Sequence, residues 1–149
     1  MTMSLPSTSP INALQKIVVT RLRADATLVT LLADRQAVYD QPPEGDVKPY
    51  VRVGDFLSTP DNDHGGFGRN VVMTLHIWTL KRGNKAGQDI ANRIVELLDH
   101  QTEVLDDLLR AEGHKLVSIR AEFDQALTDP DPEIRHHVVR FRVATAQLT

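Results

Sequence analysis

The stretch "DNDHGGFGRN", residues 61–70, concentrates the chain's most reactive-looking side chains. It holds Asp61, Asp63 and His64 with three glycines, between two alternating segments. A phosphate cradle is one chemistry for such a loop. It needs the lysine and hydroxyl of a P-loop, or glycines that open a helix whose N-terminal N–H groups meet the anion. Neither is present, because an alternating, strand-like run follows instead. A calcium loop is another. Asp61 and Asp63 match its first two ligand positions, but Gly65 falls where a third ligand belongs and Val72 where a bidentate glutamate is required. What remains is a hairpin tip rich in turn-forming residues.

The other polar residues assemble no catalytic set. His136 and His137 adjoin on a strand pattern, so they point to opposite faces and cannot by themselves share a metal. His76 lies on the same face as Trp78 and reads as a structural histidine; His64, His100 and His114 fall in loops or near helix ends. There is no cysteine, hence no disulfide, thiol nucleophile or thiolate metal site. No Gly-x-Ser-x-Gly elbow occurs. The acids are scattered. Strict alternation places Asp55 on one face with Val51, Val53 and Leu57, where it calls for a cation such as Arg120 or Arg142. We therefore expect no enzyme, no cofactor and no metal. Arg52, Arg120, Arg140 and Arg142 all fall on strand patterns. If their faces coincide they form a basic band: the solvated outer face of an antiparallel sheet, or an interface to an acidic partner or to passing DNA.

Several elements must carry these residues. The chain is 149 residues, 41% hydrophobic and 25% charged, which suits one globular domain. Its net charge of −3 argues against a general nucleic-acid binder. The start "MTMSLPSTSP" lacks a basic region and an apolar core, and no apolar run approaches the ~20 residues of a membrane span, so a soluble cytoplasmic protein is expected. Residues 1–9 are expected to be a flexible tail and residues 10–149 a single domain. Ser9-Pro10 starts an amphipathic helix to about Arg23, and Asp25 caps a short second one. Residues 37–40 suit a short strand. Residues 50–59 and 70–82 alternate as a long hairpin around the glycine-rich loop. Ile90, Ile94, Leu97 and Leu98 mark a second strong helix, with Asn84 as its N-cap; residues 101–114 fit a helix or a strand. Residues 115–128 and 136–148 alternate around "DPDPE" as a second hairpin, with Val117, Ile119, Ala121 and Phe123 sharing a face. The fold class is α+β: an antiparallel or mixed sheet built from two hairpins, with two amphipathic helices packed on one face. The helix between the hairpins allows a crossover. The half-apolar face of His76 and Trp78 then needs a second layer or a partner subunit.

This combination resembles the tail-completion, or tail-terminator, proteins of long-tailed phages and phage-like particles. The resemblance runs from about Ile11 to Val143. It rests on "ALQKIVVTRLRADATLVTLLADRQAVYDQPPEGDVKPYVRVGD", on "TLHIWT" from Thr74 to Thr79, on "KAGQDIANRIVELL", and on "LVSIRAEFDQALTDPDPEIRHHVVRFRV". Such proteins imply a homo-oligomeric ring, typically hexameric, at the head-proximal end of the tail tube. The ring ends tube polymerisation and meets the head–tail connector, and genomic DNA passes through its lumen without sequence-specific contacts. A virion protein assembled in the bacterial cytoplasm, with no membrane partner, follows from the same resemblance. The candidate assembly residues are Asp63, His64, Phe67, Arg69, His76, Trp78, Arg140 and Arg142. Other readings stay open: a head-completion or tube protein, a small ligand-binding α+β module, or an enzyme with dispersed catalytic residues.

Overall fold

A computed structural model of the chain describes residues 8–45, 47–62, 66–80 and 83–148. Most of the expected N-terminal tail lies outside this set, as do Asp63 and His64. The elements run α1 (Ile11–Arg23), α2 (Ala26–Leu31), β1 (Val38–Tyr39), β2 (Tyr50–Pro60), β3 (Gly68–Thr79), α3 (Lys85–Leu98), α4 (Thr102–Arg110), β4 (His114–Thr128) and β5 (Arg135–Gln147). The α+β class stands: the two amphipathic helices are α1 and α3, the short helix capped by Asp25 is α2, and the open segment 101–114 supplies a fourth, α4.

The five strands form one sheet in the order β1-β2-β3-β5-β4. Only the short β1–β2 pair is parallel; β2–β3, β3–β5 and β4–β5 are antiparallel. The chain leaves β3 through α3 and α4, reaches the far edge as β4, and turns back so that β5 fills the gap. The connection between the two hairpins is thus a crossover, as the long helical segment allows.

Period decides which residues face inward. In α1 the apolar positions at helical spacing, Leu14, Ile17, Val18 and Leu22, are all buried. Along β3, Val71, Met73, Leu75 and Ile77 alternate into the core, and Val139, Phe141 and Val143 of β5 meet them in register. All helices lie on this one face. The Asp25 side chain accepts the Leu28 N–H at 2.8 Å, capping α2. It also holds the guanidinium of Arg93 on α3 through contacts of 2.9 and 2.7 Å, so one carboxylate caps a helix and ties two helices together. Its pKa falls below the ordinary value, chiefly through the Arg93 hydrogen bonds.

Strict alternation fails in two strands, and each failure has one cause. A register shift between Val53 and Phe56 of β2 inserts an extra residue, where Gly54 takes φ 129, a conformation open to glycine. Phe56 therefore faces the core beside Met73, and Leu57 is 61% exposed on the other side. In β4, shifts between Leu116 and Ser118 and between Ala121 and Phe123 do the same. Val117 and Phe123 are exposed and do not share the inward face of Ile119. The open segment 101–114 is α4 followed by a turn into β4. At the helix starts, Pro10 stands at the N-cap of α1 where Ser9 was expected, and Asn84 occupies the α3 N-cap without a side-chain bond.

Candidate functional site

The face of the sheet opposite the helices has no covering layer among the described residues, and it gathers half of the candidate assembly residues. His76, Trp78, Arg140 and Arg142 all lie on it. So do Arg52 and Arg120, because Arg52 pairs with His76 and Arg120 with Arg142 in the ladder. The faces of the four arginines therefore coincide. The band is not purely basic. Asp55 pairs with Arg52 at 3.2 Å, and Glu122 takes the Arg142 guanidinium. The expected partners of Asp55, Arg120 and Arg142, are replaced by Arg52 because the bulge turns Asp55 away from the Val51 and Val53 side.

On this face, at the end where β3 finishes and β5 begins, a ring stack forms. Trp78 and His136 are direct neighbours in the β3–β5 register, and their rings stack with centroids 3.8 Å apart and 11° between planes. His76 Nδ1 lies 2.9 Å from His136 Nε2. His76 Nε2 stands 3.5 Å from Asp55 Oδ2, an ion pair only if the ring is charged, and makes no hydrogen bond. Of the two neutral tautomers, the one with the His76 proton on Nε2 aims it toward Asp55, leaving Nδ1 to accept from His136. A short contact between two rings accommodates one shared proton, so a second charge is disfavoured. Burial, then the neighbouring His76, pulls the His136 pKa down to about 4. Burial also lowers His76, against the pull of Asp55.

His137 points to the other face, as adjacency on a strand requires. It is fully buried beneath α3, and neither ring nitrogen has a hydrogen-bond partner. Gly87 of α3 makes room for it: a Cβ there would lie 2.2 Å from His137 Nδ1.

The glycine-rich stretch joins β2 to β3. Its neck is closed by Asp61 N–H donating to the Gly68 carbonyl at 2.8 Å and by Asn62 Oδ1 accepting the Gly68 N–H at 3.2 Å. The Phe67 carbonyl accepts from Gln147 N–H at 2.8 Å, which anchors the loop to the end of β5. Phe67 and Arg69 are half-buried beside this neck, at the far end of the sheet from Trp78. Among the described candidates, Phe67 and Arg69 thus lie apart from His76, Trp78, Arg140 and Arg142.

No group of three His, Asp or Glu among the described residues is placed to hold a metal. A cleft of about 450 Å³ beside α2 and the start of α3 offers one Lys85–Asp89 ion pair and no converging polar set. No described helix is long and apolar enough to cross a membrane. Sequence reasoning missed His136 as a partner of His76 and Trp78, since only the β3–β5 register brings them together.

Comparison with known proteins gives four findings. The profile of the family described as "Tail completion protein gp17" matches residues 16–146. The tail completion protein gp17 of Bacillus phage SPP1 is 32% identical over 130 residues, covering 87% of this chain and 90% of that one. Among solved structures, a chain from the virion of a native gene transfer agent particle superposes with a TM-score of 0.80 at 26% identity, covering 94% of this chain and 99% of that one. Bacteriophage SPP1 gp17 superposes at 0.54 with 24% identity over 95% of each chain, a likeness of fold alone.

Proposed function

The chain belongs to the tail completion protein gp17 family, and from that premise we propose that it is a structural protein of a phage or phage-like virion that closes into a ring on the head-proximal end of the tail tube. The ring ends tube polymerisation and presents its far side to the head–tail connector, while genomic DNA passes through the lumen. The observation that carries this reading is the uncovered sheet face. A two-layer domain leaves one side of its sheet to solvent or to a partner, and this side holds Trp78, exposed Leu57 and Phe123, and four arginines. A closed ring uses heterologous contacts, in which two different surfaces of one subunit meet. Capping follows from geometry: the side turned to the connector no longer repeats the surface on which the tube grows.

The loop at residues 61–70 suits a docking element. Its neck is fixed by the Asp61–Gly68 and Phe67–Gln147 bonds, which tie the described ends of the loop to the end of the sheet. Deletion of Asp63 to Gly68 is expected to impair head–tail joining and to leave the fold intact.

The test is tube growth. Adding the protein to elongating tail tubes is expected to stop elongation at substoichiometric ratios to tube subunits. Elongation that continues at the same rate overturns the terminator reading, and co-assembly along the tube wall assigns a tube protein instead.

A further inference from the structure

We propose that the ring closes through a charge-matched, front-to-back contact, in which the exposed flank of α4 on one copy seats on the Arg120–Phe123–Arg140 patch of the next copy's sheet. This rests on the ring reading and names the two surfaces that meet.

The sheet side carries charge that the isolated chain leaves unsatisfied. Arg120 stands directly across from Arg142 in the β4–β5 ladder, and Arg140 follows two residues along β5. Like charges directly opposite on adjacent strands are unfavourable. Glu122 answers only Arg142. No carboxylate among the described residues lies within ion-pair distance of Arg120, and Arg140 instead lies over the Phe123 ring, 5.3 Å from its centroid. Phe123 is itself 42% exposed. A patch with two unanswered cations around an exposed aromatic fits an acidic surface that also offers apolar contact. Nucleic acid phosphate would answer the charge and leave the aromatic in water.

Helix α4 has the complementary character. Its Leu105 and Leu109 are buried, whereas Val104 and Leu108, one turn apart, are 48% and 45% exposed. Helical spacing puts Glu103 and Asp107 beside this apolar pair. Both are exposed, and neither has an ion-pair partner among the described residues; the neighbouring Asp106 and Glu112 are taken by Arg110 and Lys16. Two carboxylates beside two aliphatic side chains thus match two guanidiniums beside a phenyl ring. Helix α4 lies in the helical layer and the arginine patch on the opposite face of the sheet, so every copy carries both halves on different surfaces. That is the requirement for a heterologous contact that repeats until it closes.

The experiment is a charge swap in the full-length chain. The variants are Arg120→Glu with Arg140→Glu, Glu103→Arg with Asp107→Arg, and all four together. The altered positions in α4 and at 120 are exposed, and circular dichroism with thermal melting verifies each fold. Ring fraction is read by native mass measurement and by imaging on tail tubes. Each two-site variant is expected to lower closed rings by about tenfold or more, and the four-site variant to return them to within about threefold of wild type, since like-charge juxtaposition is what blocks the contact. Wild-type protein that forms no ring, alone or on tubes, sinks the ring reading and this proposal with it. Wild-type rings that persist unchanged in both two-site variants overturn this proposal alone. So does loss in both without restoration in the four-site variant. Normal rings combined with weakened retention of duplex DNA in the arginine variant assign the patch to DNA and also overturn it.

Discussion

Replacing Gly87 with alanine isolates one packing decision of this fold. In an exposed helix the change stabilises by up to about 1 kcal/mol, because glycine carries the larger backbone entropy cost. Here the sign is expected to reverse. The new Cβ would lie 2.2 Å from His137 Nδ1, 2.5 Å from Cε1 and 3.0 Å from Cγ. The ring is fully buried between α3 and β5 and has no open side to move into. Overpacking of this kind costs roughly 1–3 kcal/mol. A 2.2 Å approach to a buried ring places the cost in the upper half of that range, about 2–3 kcal/mol. Against a propensity gain of about 1 kcal/mol, the net loss is about 1–2 kcal/mol, a fall in Tm of ~3–6 °C for a chain of this size. The assay is a double-mutant cycle by thermal or urea unfolding with Gly87→Ala, His137→Ala and the pair. With the ring removed, Gly87→Ala is expected to be neutral or stabilising, giving a coupling of about 1–3 kcal/mol between the sites. A neutral or stabilising Gly87→Ala in the wild-type background, or the same loss in both backgrounds, would refute the reasoning.

Other expectations follow from named contacts. Asp25→Ala removes the α2 cap and strands Arg93, so a loss of roughly 2–3 kcal/mol is expected in urea unfolding at neutral pH; because the Asp25 pKa is lowered in the fold, its stabilisation is complete above the ordinary carboxylate pKa and is lost as pH falls through the carboxylate range. His136 behaves differently in pH. Its folded pKa of about 4 lies below the ordinary value of 6.5, so its protonation favours the unfolded chain. Stability is full above about pH 6.5 and is lost as pH falls toward 4, by an amount on the order of 3 kcal/mol. Burial lowers His76, His114 and His137 as well, so the readout is the difference between wild type and His136→Phe, which keeps an aromatic ring on Trp78; identical pH profiles would refute the assignment. Trp78→Ala is expected to reduce ring formation on tubes while preserving circular dichroism, since Trp78 lies on the uncovered face.

Much of this fold is legible because single-period elements expose their own pattern. The α1 stripe of Leu14, Ile17, Val18 and Leu22 and the alternation of β3 locate the core from residue spacing alone. The errors sit where an extra residue breaks the period. The β2 bulge moves Leu57 outward and Asp55 to Arg52, and the β4 bulges move Val117 and Phe123. Gly54 marks the β2 bulge, whereas no glycine marks those of β4, and a one-residue slip exchanges the two faces. The histidine stack is illegible for another reason: His76 and His136 are 60 residues apart, and their contact depends on β5 inserting between β3 and β4. The candidate assembly residues divide the same way. His76, Trp78, Arg140 and Arg142 share a face because alternation is unbroken along β3 and β5, whereas Phe67 and Arg69 belong to the loop end of the sheet.

The central claim is a ring that caps a tube, and electron microscopy of tail tubes mixed with the full-length protein, together with the mass of the bound species, tests it most directly. The account predicts a closed ring of identical subunits confined to one end of each tube. Filaments formed by the protein itself, or a compact monomer or dimer that leaves both tube ends bare, would contradict it.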